Sequence, residues 1–263
     1  MRTRLNSGFD IPSIGLGTWE ITGSKAKEVT LDALECGYRM IDTAMIYQNE
    51  DQVGLAIEES GINRQDIYVT TKIWNTDHDD VVGAFNKSLD LLKLDYIDLY
   101  LIHWPSKEND VRLQTWETMH ELMTSGRAKS IGVSNYSINH LEELIGKTGI
   151  VPSVNQVPIS PFTVDTQFFQ ISHNRELIKY CKDKGIAIEA YSPLTRGLKL
   201  QNPDLVQISN RYNKTPAQIL IRWSLQRGFV VIPKSQNKQR ISENFNVFDF
   251  QINDKDMQTL NSF

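Results

Sequence analysis

The chain has 263 residues, 40% of them hydrophobic and 23% charged, with 28 basic and 32 acidic side chains and a net charge of −4. That length suits an α/β barrel and can bury a large core without metals or disulfides. The net acidity argues against non-specific nucleic-acid binding. No apolar run approaches the roughly 18 residues of a membrane span, and the N-terminus lacks a signal peptide's apolar core.

In chain order, Leu5 to Pro12 reads as a β-hairpin turning at Asn6-Ser7-Gly8, placed to plug one end of a barrel. Eight short β-branched runs follow: Ile14–Gly17, Arg39–Asp42, Ile67–Thr71, Ile97–His103, Ser130–Ser134, Val154–Gln156, Ile186–Ala190 and Val230–Pro233. Helical patterns separate them, and such alternation argues for a parallel sheet. Asn49 with Gln52 precedes the apolar stripe Val53, Ala56 and Ile57, and predicts a capping box. Thr215, Pro216 and Gln218 predict another. Gly37, Gly61, Gly126, Gly185 and Gly228 each stand shortly before a strand, where a helix ends in the left-handed conformation.

Eight βα units in one domain, residues 1–263, fit a closed (β/α)8 TIM barrel better than an open doubly wound sheet. Gly15-Leu16-Gly17 begins a dinucleotide-binding G-x-G-x-x-G turn, but the sixth position is Glu20. Gly146-Lys147-Thr148 resembles the end of a P-loop, yet the required earlier glycine is Leu141. Cys36, Cys181 and five scattered histidines form no metal-binding or disulfide pattern, so no metal is expected.

Active sites of parallel barrels gather at the C-terminal ends of the strands. The residues at or just past the ends of the eight runs are Trp19, Asp42, Lys72, His103, Ser134-Asn135, Gln156, Tyr191 and Lys234. Asp42 and Lys72 are 30 residues apart, Lys72 and His103 31, and His103 and Ser134 31. Roughly 30 residues is one strand-plus-helix unit, so these groups stand side by side on one rim. Tyr47 leans into the same space. An acid, an ammonium, an imidazole and a phenol together are equipment for proton transfer. Any one of them alone reads as readily as a helix cap, a solvated amine or a half-buried ring.

The ordered segments resemble the aldo-keto reductase family along almost the whole chain. Those that carry the likeness are Gly15-Leu16-Gly17-Thr18-Trp19, Ile41-Asp42-Thr43-Ala44 with Tyr47, and Thr71-Lys72-Ile73-Trp74. They continue with Leu101-Ile102-His103-Trp104-Pro105, Ile131-Gly132-Val133-Ser134-Asn135-Tyr136 and Ala190-Tyr191-Ser192-Pro193-Leu194. The last are Ile232-Pro233-Lys234-Ser235, Arg240-Ile241 and Glu243-Asn244. The resemblance implies a cytoplasmic, monomeric TIM-barrel reductase of aldehydes or ketones that uses NADPH, with Asp42, Tyr47, Lys72 and His103 as catalytic tetrad.

The residue types agree with that chemistry. Hydride reduction of a carbonyl needs a proton for the developing alkoxide, and a phenol of pKa about 10 is a reluctant donor. An ammonium ~4 Å away at an effective dielectric of ~20 contributes about 4 kcal/mol, enough to draw the phenol well down. Lys72 is therefore expected to tune Tyr47, with Asp42 orienting Lys72 and His103 positioning the carbonyl oxygen. By the resemblance, Ser134, Asn135 and Gln156 bond the nicotinamide carboxamide and Tyr191 stacks on its ring. Ser192, Leu194, Glu243 and Asn244 complete the cofactor site, and Lys234, Ser235 and Arg240 clamp the 2′-phosphate. Trp19, Trp74 and Trp104, with Tyr47 and His103, line the substrate pocket. Independently, a basic patch in a net-acidic chain suits a dianionic phosphate.

The chain departs from many relatives after strand six, reading Asn155-Gln156-Val157-Pro158-Ile159-Ser160-Pro161 where they carry a carboxylate and an imidazole. Short loops resemble compact microbial or protozoan members and imply an open site. Two rival readings are a Schiff-base aldolase or lyase using Lys72 as nucleophile, and a non-enzymatic NADPH-sensing barrel subunit. The 2′-phosphate clamp weighs against the first, and the lack of a regulatory N-terminal extension against the second.

Overall fold

The computed structural model describes residues 1–166 and 169–263. β1 (Arg2–Arg4) and β2 (Asp10–Pro12) form the N-terminal hairpin, pairing Thr3 with Ile11. Its strands begin three residues before Leu5. Leu5 to Phe9 forms the turn instead, closed by Leu5 N donating to Phe9 O at 2.9 Å and by Gly8 at φ 88°.

Eight parallel strands follow: β3 (Leu16–Gly17), β4 (Met40–Asp42), β5 (Tyr68–Ile73), β6 (Ile97–Ile102), β7 (Ala128–Ser134), β8 (Val154–Pro158), β11 (Ala187–Tyr191) and β12 (Val230–Val231). Between β8 and β11 lies a short antiparallel pair, β9 (Val164–Asp165) and β10 (Gln170–Ile171), which the sequence pattern did not reveal. Two residues per strand leave too little periodicity to read. β3 and β12 close the sheet into a barrel through Gly15 N to Val231 O at 2.8 Å and Gly17 N to Pro233 O at 3.1 Å. A Cβ on Gly17 would lie 2.9 Å from Ile232 O. The glycines that begin a dinucleotide motif are thus where two barrel strands meet.

The helices are α1 (Ser24–Glu35), α2 (Glu50–Glu59), α3 (Val81–Leu92), α4 (Asn109–Thr124), α5 (Ile138–Thr148), α6 (Arg175–Asp183), α7 (Pro203–Arg211), α8 (Pro216–Gln226), α9 (Lys238–Phe245) and α10 (Asp254–Leu260). The capping box at Thr215 forms, Gln218 N donating to Thr215 Oγ1 and Thr215 N to Gln218 Oε1. The one expected at Asn49 does not. Asn49 is fully buried, and its amide donates to Thr18 O and Ile21 O while its oxygen accepts from Thr43 Oγ1. The side chain ties the β3 loop to the β4 loop, so tertiary contacts outcompete the local cap. The five pre-strand glycines all take positive φ, from 64° at Gly61 to 104° at Gly37.

Side chains alternate across each strand. Outward residues pack against the helices in a continuous shell that includes Trp116 and Trp223. Inward residues fill the barrel: Leu5 and Ile11 of the hairpin region, then Met40, Tyr68, Leu99, Leu101, Val154, Val230 and Ile232. This is the plug expected of the hairpin. Toward the C-terminal ends the inward column turns polar, with Asp42, Lys72, Ser134, Gln156 and Glu189 buried there. The apolar lower layers supply rigidity, and the upper layer supplies the chemistry.

Candidate active site

Asp42 closes β4 and Lys72 lies near the end of β5, so two neighbouring strands aim an acid and an amine into the same layer. Lys72 Nζ donates to Asp42 Oδ1 at 2.6 Å and to Thr43 O at 2.8 Å, and neither side chain has appreciable exposure. Tyr47 sits in a single 3₁₀ turn after β4, with Lys72 Nζ 5.1 Å from its ring centre. His103 follows β6, its backbone N–H held by Ile73 O at 3.1 Å. Its Nε2 is 3.4 Å from the Tyr47 hydroxyl, and the two rings meet edge-on. Trp74 packs edge-on against the same imidazole at 5.1 Å.

Burial, and secondly the Lys72 charge, push the His103 pKa well below its ordinary value, so the ring stands neutral. Among the described residues its Nδ1 has no hydrogen-bond partner. The Tyr47 phenol is pushed well above its ordinary value, by burial first and then by the Asp42 and Glu189 carboxylates. This departs from the expectation that Lys72 draws it down. The physical reasons are burial first, and then pairing. Asp42 neutralises the ammonium at 2.6 Å, so the phenol meets a balanced ion pair rather than a free cation.

Ser134 ends β7 and donates to Gln156 O at 2.9 Å. Asn135, at φ 63°, donates to His103 O and to Ser134 Oγ while accepting from the Tyr191 hydroxyl at 2.7 Å. Gln156, on β8, donates from Nε2 to Asp42 Oδ2 at 2.7 Å and to Glu189 Oε2 at 2.8 Å. Both N–H groups of its side-chain amide are therefore committed to the two carboxyl groups. Tyr191 ends β11, with the Phe169 ring edge-on against it. Ser192, Asn135, Tyr191 and Gln156 thus share one rim with Tyr47 and His103.

Ser192, Thr195 and Arg196 all hold positive φ in the loop after β11, and Leu194 packs down against the core shell. Arg196 reaches across to Glu20 and lies 4.8 Å over the Trp19 ring. Lys234 and Arg240 are exposed, and Ser235 is half-buried between them. Arg240 occupies the first turn of α9, which Asn237 caps. Lys238, between Lys234 and Arg240 in sequence, bonds to Asp32 and Glu35 of α1. Glu243 accepts from Thr215 Oγ1, and Asn244 is buried. Trp104 is exposed beside His103, whereas Trp116 and Trp223 are core residues.

β8 continues two residues past Gln156, and Tyr191 pairs with Pro158. Ile159 N then donates to Tyr191 O, and Ser160 is fully buried with its hydroxyl accepting from Phe162 N. A short hydroxyl turn thus follows β8.

Sequence reading missed Glu189. It is fully buried, its Oε1 has no partner among the described residues, and burial with the Asp42 charge pushes its pKa up to about 8. The available signal was a lone carboxylate at an alternating position within the apolar run Ile186–Ala190.

Comparison with known proteins places this architecture. The glyoxal reductase of Bacillus subtilis is 44% identical over 262 residues, covering 98% of this chain and 91% of that protein. The crystal structure of an aldo/keto reductase from Brucella melitensis superposes with a TM-score of 0.93 at 43% identity, covering 99% of this chain and 98% of that one. An aldo-keto reductase of Bombyx mori, solved in complex with NADP, gives 0.89 at 38% identity over 99% of this chain and 92% of its own. The profile of the aldo/keto reductase family matches residues 13–263, and with these likenesses the chain belongs to that family of oxidoreductases.

Proposed function

We propose that this enzyme reduces aldehydes and ketones, small dicarbonyl compounds among them, with NADPH as hydride donor. The observation that carries the reading is the pair of proton-bearing groups, Tyr47 OH and His103 Nε2, 3.4 Å apart above a buried Lys72–Asp42 ion pair. The likeness to a glyoxal reductase supports the substrate class.

The residues fit a nicotinamide cofactor by their donor chemistry. Gln156 Oε1, Ser134 and Asn135 offer amide and hydroxyl groups beside the Tyr191 ring, and Lys234 and Arg240 offer exposed cations for a phosphate. A reduced nicotinamide held by these residues would supply the hydride for the carbonyl carbon. His103, neutral, donates a hydrogen bond that orients the carbonyl oxygen. Tyr47 delivers the proton to the same oxygen as charge develops on it. Asp42 and Thr43 O hold Lys72 beside the Tyr47 ring, so the tyrosinate left behind meets a balanced ion pair and not a second uncompensated negative charge. Trp74, edge-on against His103, and the exposed Trp104 beside it supply an apolar approach to the same oxygen.

Lys72 suits this role and not that of a Schiff-base nucleophile. It is fully buried and its ammonium protons are committed to Asp42 and Thr43.

The test is NADPH oxidation by the purified protein with glyoxal, methylglyoxal, aliphatic aldehydes and sugars. Turnover with the dicarbonyls that vanishes in Tyr47→Phe is the expected result. Undiminished turnover in that variant, or none with any carbonyl, would overturn the proposal.

A further inference from the structure

Glu189 points into the barrel from β11, flanked in register by Gln156 of β8 and Val230 of β12. One of its oxygens accepts from Gln156 Nε2 at 2.8 Å, and the other has no partner among the described residues. The charged and titratable groups that act on it are Asp42 of β4, Lys72 of β5 and Tyr47 of the turn after β4, with the buried Tyr68 of β5 beneath. Val230 contributes no charge. Lys72, the cation in the layer, is already bonded to Asp42 and Thr43. A fully buried carboxylate with one neutral donor and an orphan oxygen is far costlier than the neutral acid.

The same Gln156 nitrogen donates its second N–H to Asp42 Oδ2 at 2.7 Å. Two carboxyl groups therefore share one amide, and beside them stands one ammonium. With both ionised the layer carries one excess negative charge. With one protonated it is balanced.

We propose that Glu189 is a positioning residue that stands protonated beside Gln156, keeps the Lys72–Asp42 pair balanced, and weakens Tyr47 as an acid when it ionises. The inference rests on the carbonyl-reductase reading for its kinetic consequence, though not for the protonation itself. With Glu189 neutral, Lys72 and Asp42 present no net charge to the phenol. When Glu189 gives its proton to solvent, the added negative charge disfavours the tyrosinate that proton delivery leaves behind. Reduction then slows while Tyr47 itself is still protonated.

The experiment compares the wild-type enzyme and Glu189→Gln, each with NADPH and glyoxal, across pH. The wild-type profile of kcat/KM should break near about 8, where Glu189 titrates, and decline by up to about tenfold per further pH unit. Glu189→Gln keeps an acceptor for Gln156 but cannot ionise, so that break should disappear. Superimposable profiles would overturn the proposal, because a merely structural role leaves the position of the break unmoved. A second measurement needs no variant. Infrared difference spectra of the wild-type protein should show a protonated-carboxyl C=O band lost as pH rises through about 8, and the lack of such a band refutes the assignment. If neither protein reduces any carbonyl, the proposed reaction fails while the infrared result still decides the state of Glu189.

Discussion

Gln156 Nε2 bonds Asp42 Oδ2 at 2.7 Å, joining residues 114 positions apart in sequence through the centre of the barrel. The bond fixes the orientation of the carboxylate whose other oxygen holds Lys72. It also turns Gln156 into a support for the ion pair, with both of its side-chain N–H groups spent on carboxyl oxygens. Disturbing any of the three should therefore be felt at Tyr47.

Tyr47→Phe removes the hydroxyl and leaves the ring over Lys72. Turnover should fall about 10²–10⁴-fold, the usual worth of a positioned acid. NADPH affinity, measured by quenching of protein fluorescence, should stay within about twofold because the phenol is expected to touch substrate and not the adenosine end.

Lys72→Met takes the cation out of a fully buried pair and leaves Asp42 facing Gln156 alone. Breaking such a pair costs about 3–5 kcal/mol. Urea denaturation at pH 8 should show a loss of this order. At pH 5 the loss should be smaller, since Asp42, already pushed up by burial, can take a proton. Equal losses at both pH values would contradict the buried-pair account.

Glu189 has a folded pKa pushed up from its ordinary value of 4.5 to about 8. The folded chain therefore keeps a proton that the unfolded chain has already released in this window. Its contribution to stability is present below pH 4.5 and is lost as pH rises through about 8. Relative to Glu189→Gln, the wild type should lose up to about 1.4 kcal/mol per pH unit across that window. Denaturant midpoints at pH 5, 6.5 and 8 for the two proteins provide the check.

Arg240→Ala should weaken NADPH binding about 10–100-fold, the equivalent of one or two charge-assisted hydrogen bonds at about 1.5–3 kcal/mol. NADH binding should change little, as it lacks the 2′-phosphate. Isothermal titration with both cofactors tests this, and a parallel loss for both would place Arg240 elsewhere than at that phosphate.

Thr215→Ala deletes a capping box and the hydroxyl that bonds Glu243. A loss of about 1–2 kcal/mol is expected from the cap. The thermal midpoint should fall accordingly, and any weakening of NADPH binding would report the coupling of α8 to Glu243.

Much of the rim was readable because a parallel barrel imposes two regularities. Strand-plus-helix units recur every ~30 residues, and side chains alternate along each strand. Together they set Asp42, Lys72, His103 and Ser134 at equivalent positions before any coordinates exist. Helix ends were readable where the signal is local, as at Thr215-Pro216 and at the glycines with positive φ. Asn49 failed as a cap because its side chain serves the loops after β3 and β4, and no local pattern carries that information. The β9–β10 pair failed because two residues per strand show no period.

The sequence by itself determined the barrel, the order of its strands and the identity of the groups on its rim, since these follow from periodicity and from ordered motifs. Only the tertiary structure decided how charge is arranged among those groups. Lys72 is spent on Asp42, Tyr47 is pushed up and not drawn down, Lys238 is turned away to α1, and Glu189 joins the layer from a strand that reads as plain apolar core. Electrostatics depends on distance, burial and pairing, which are set by residues far apart in the chain. The list of residue types specifies none of these.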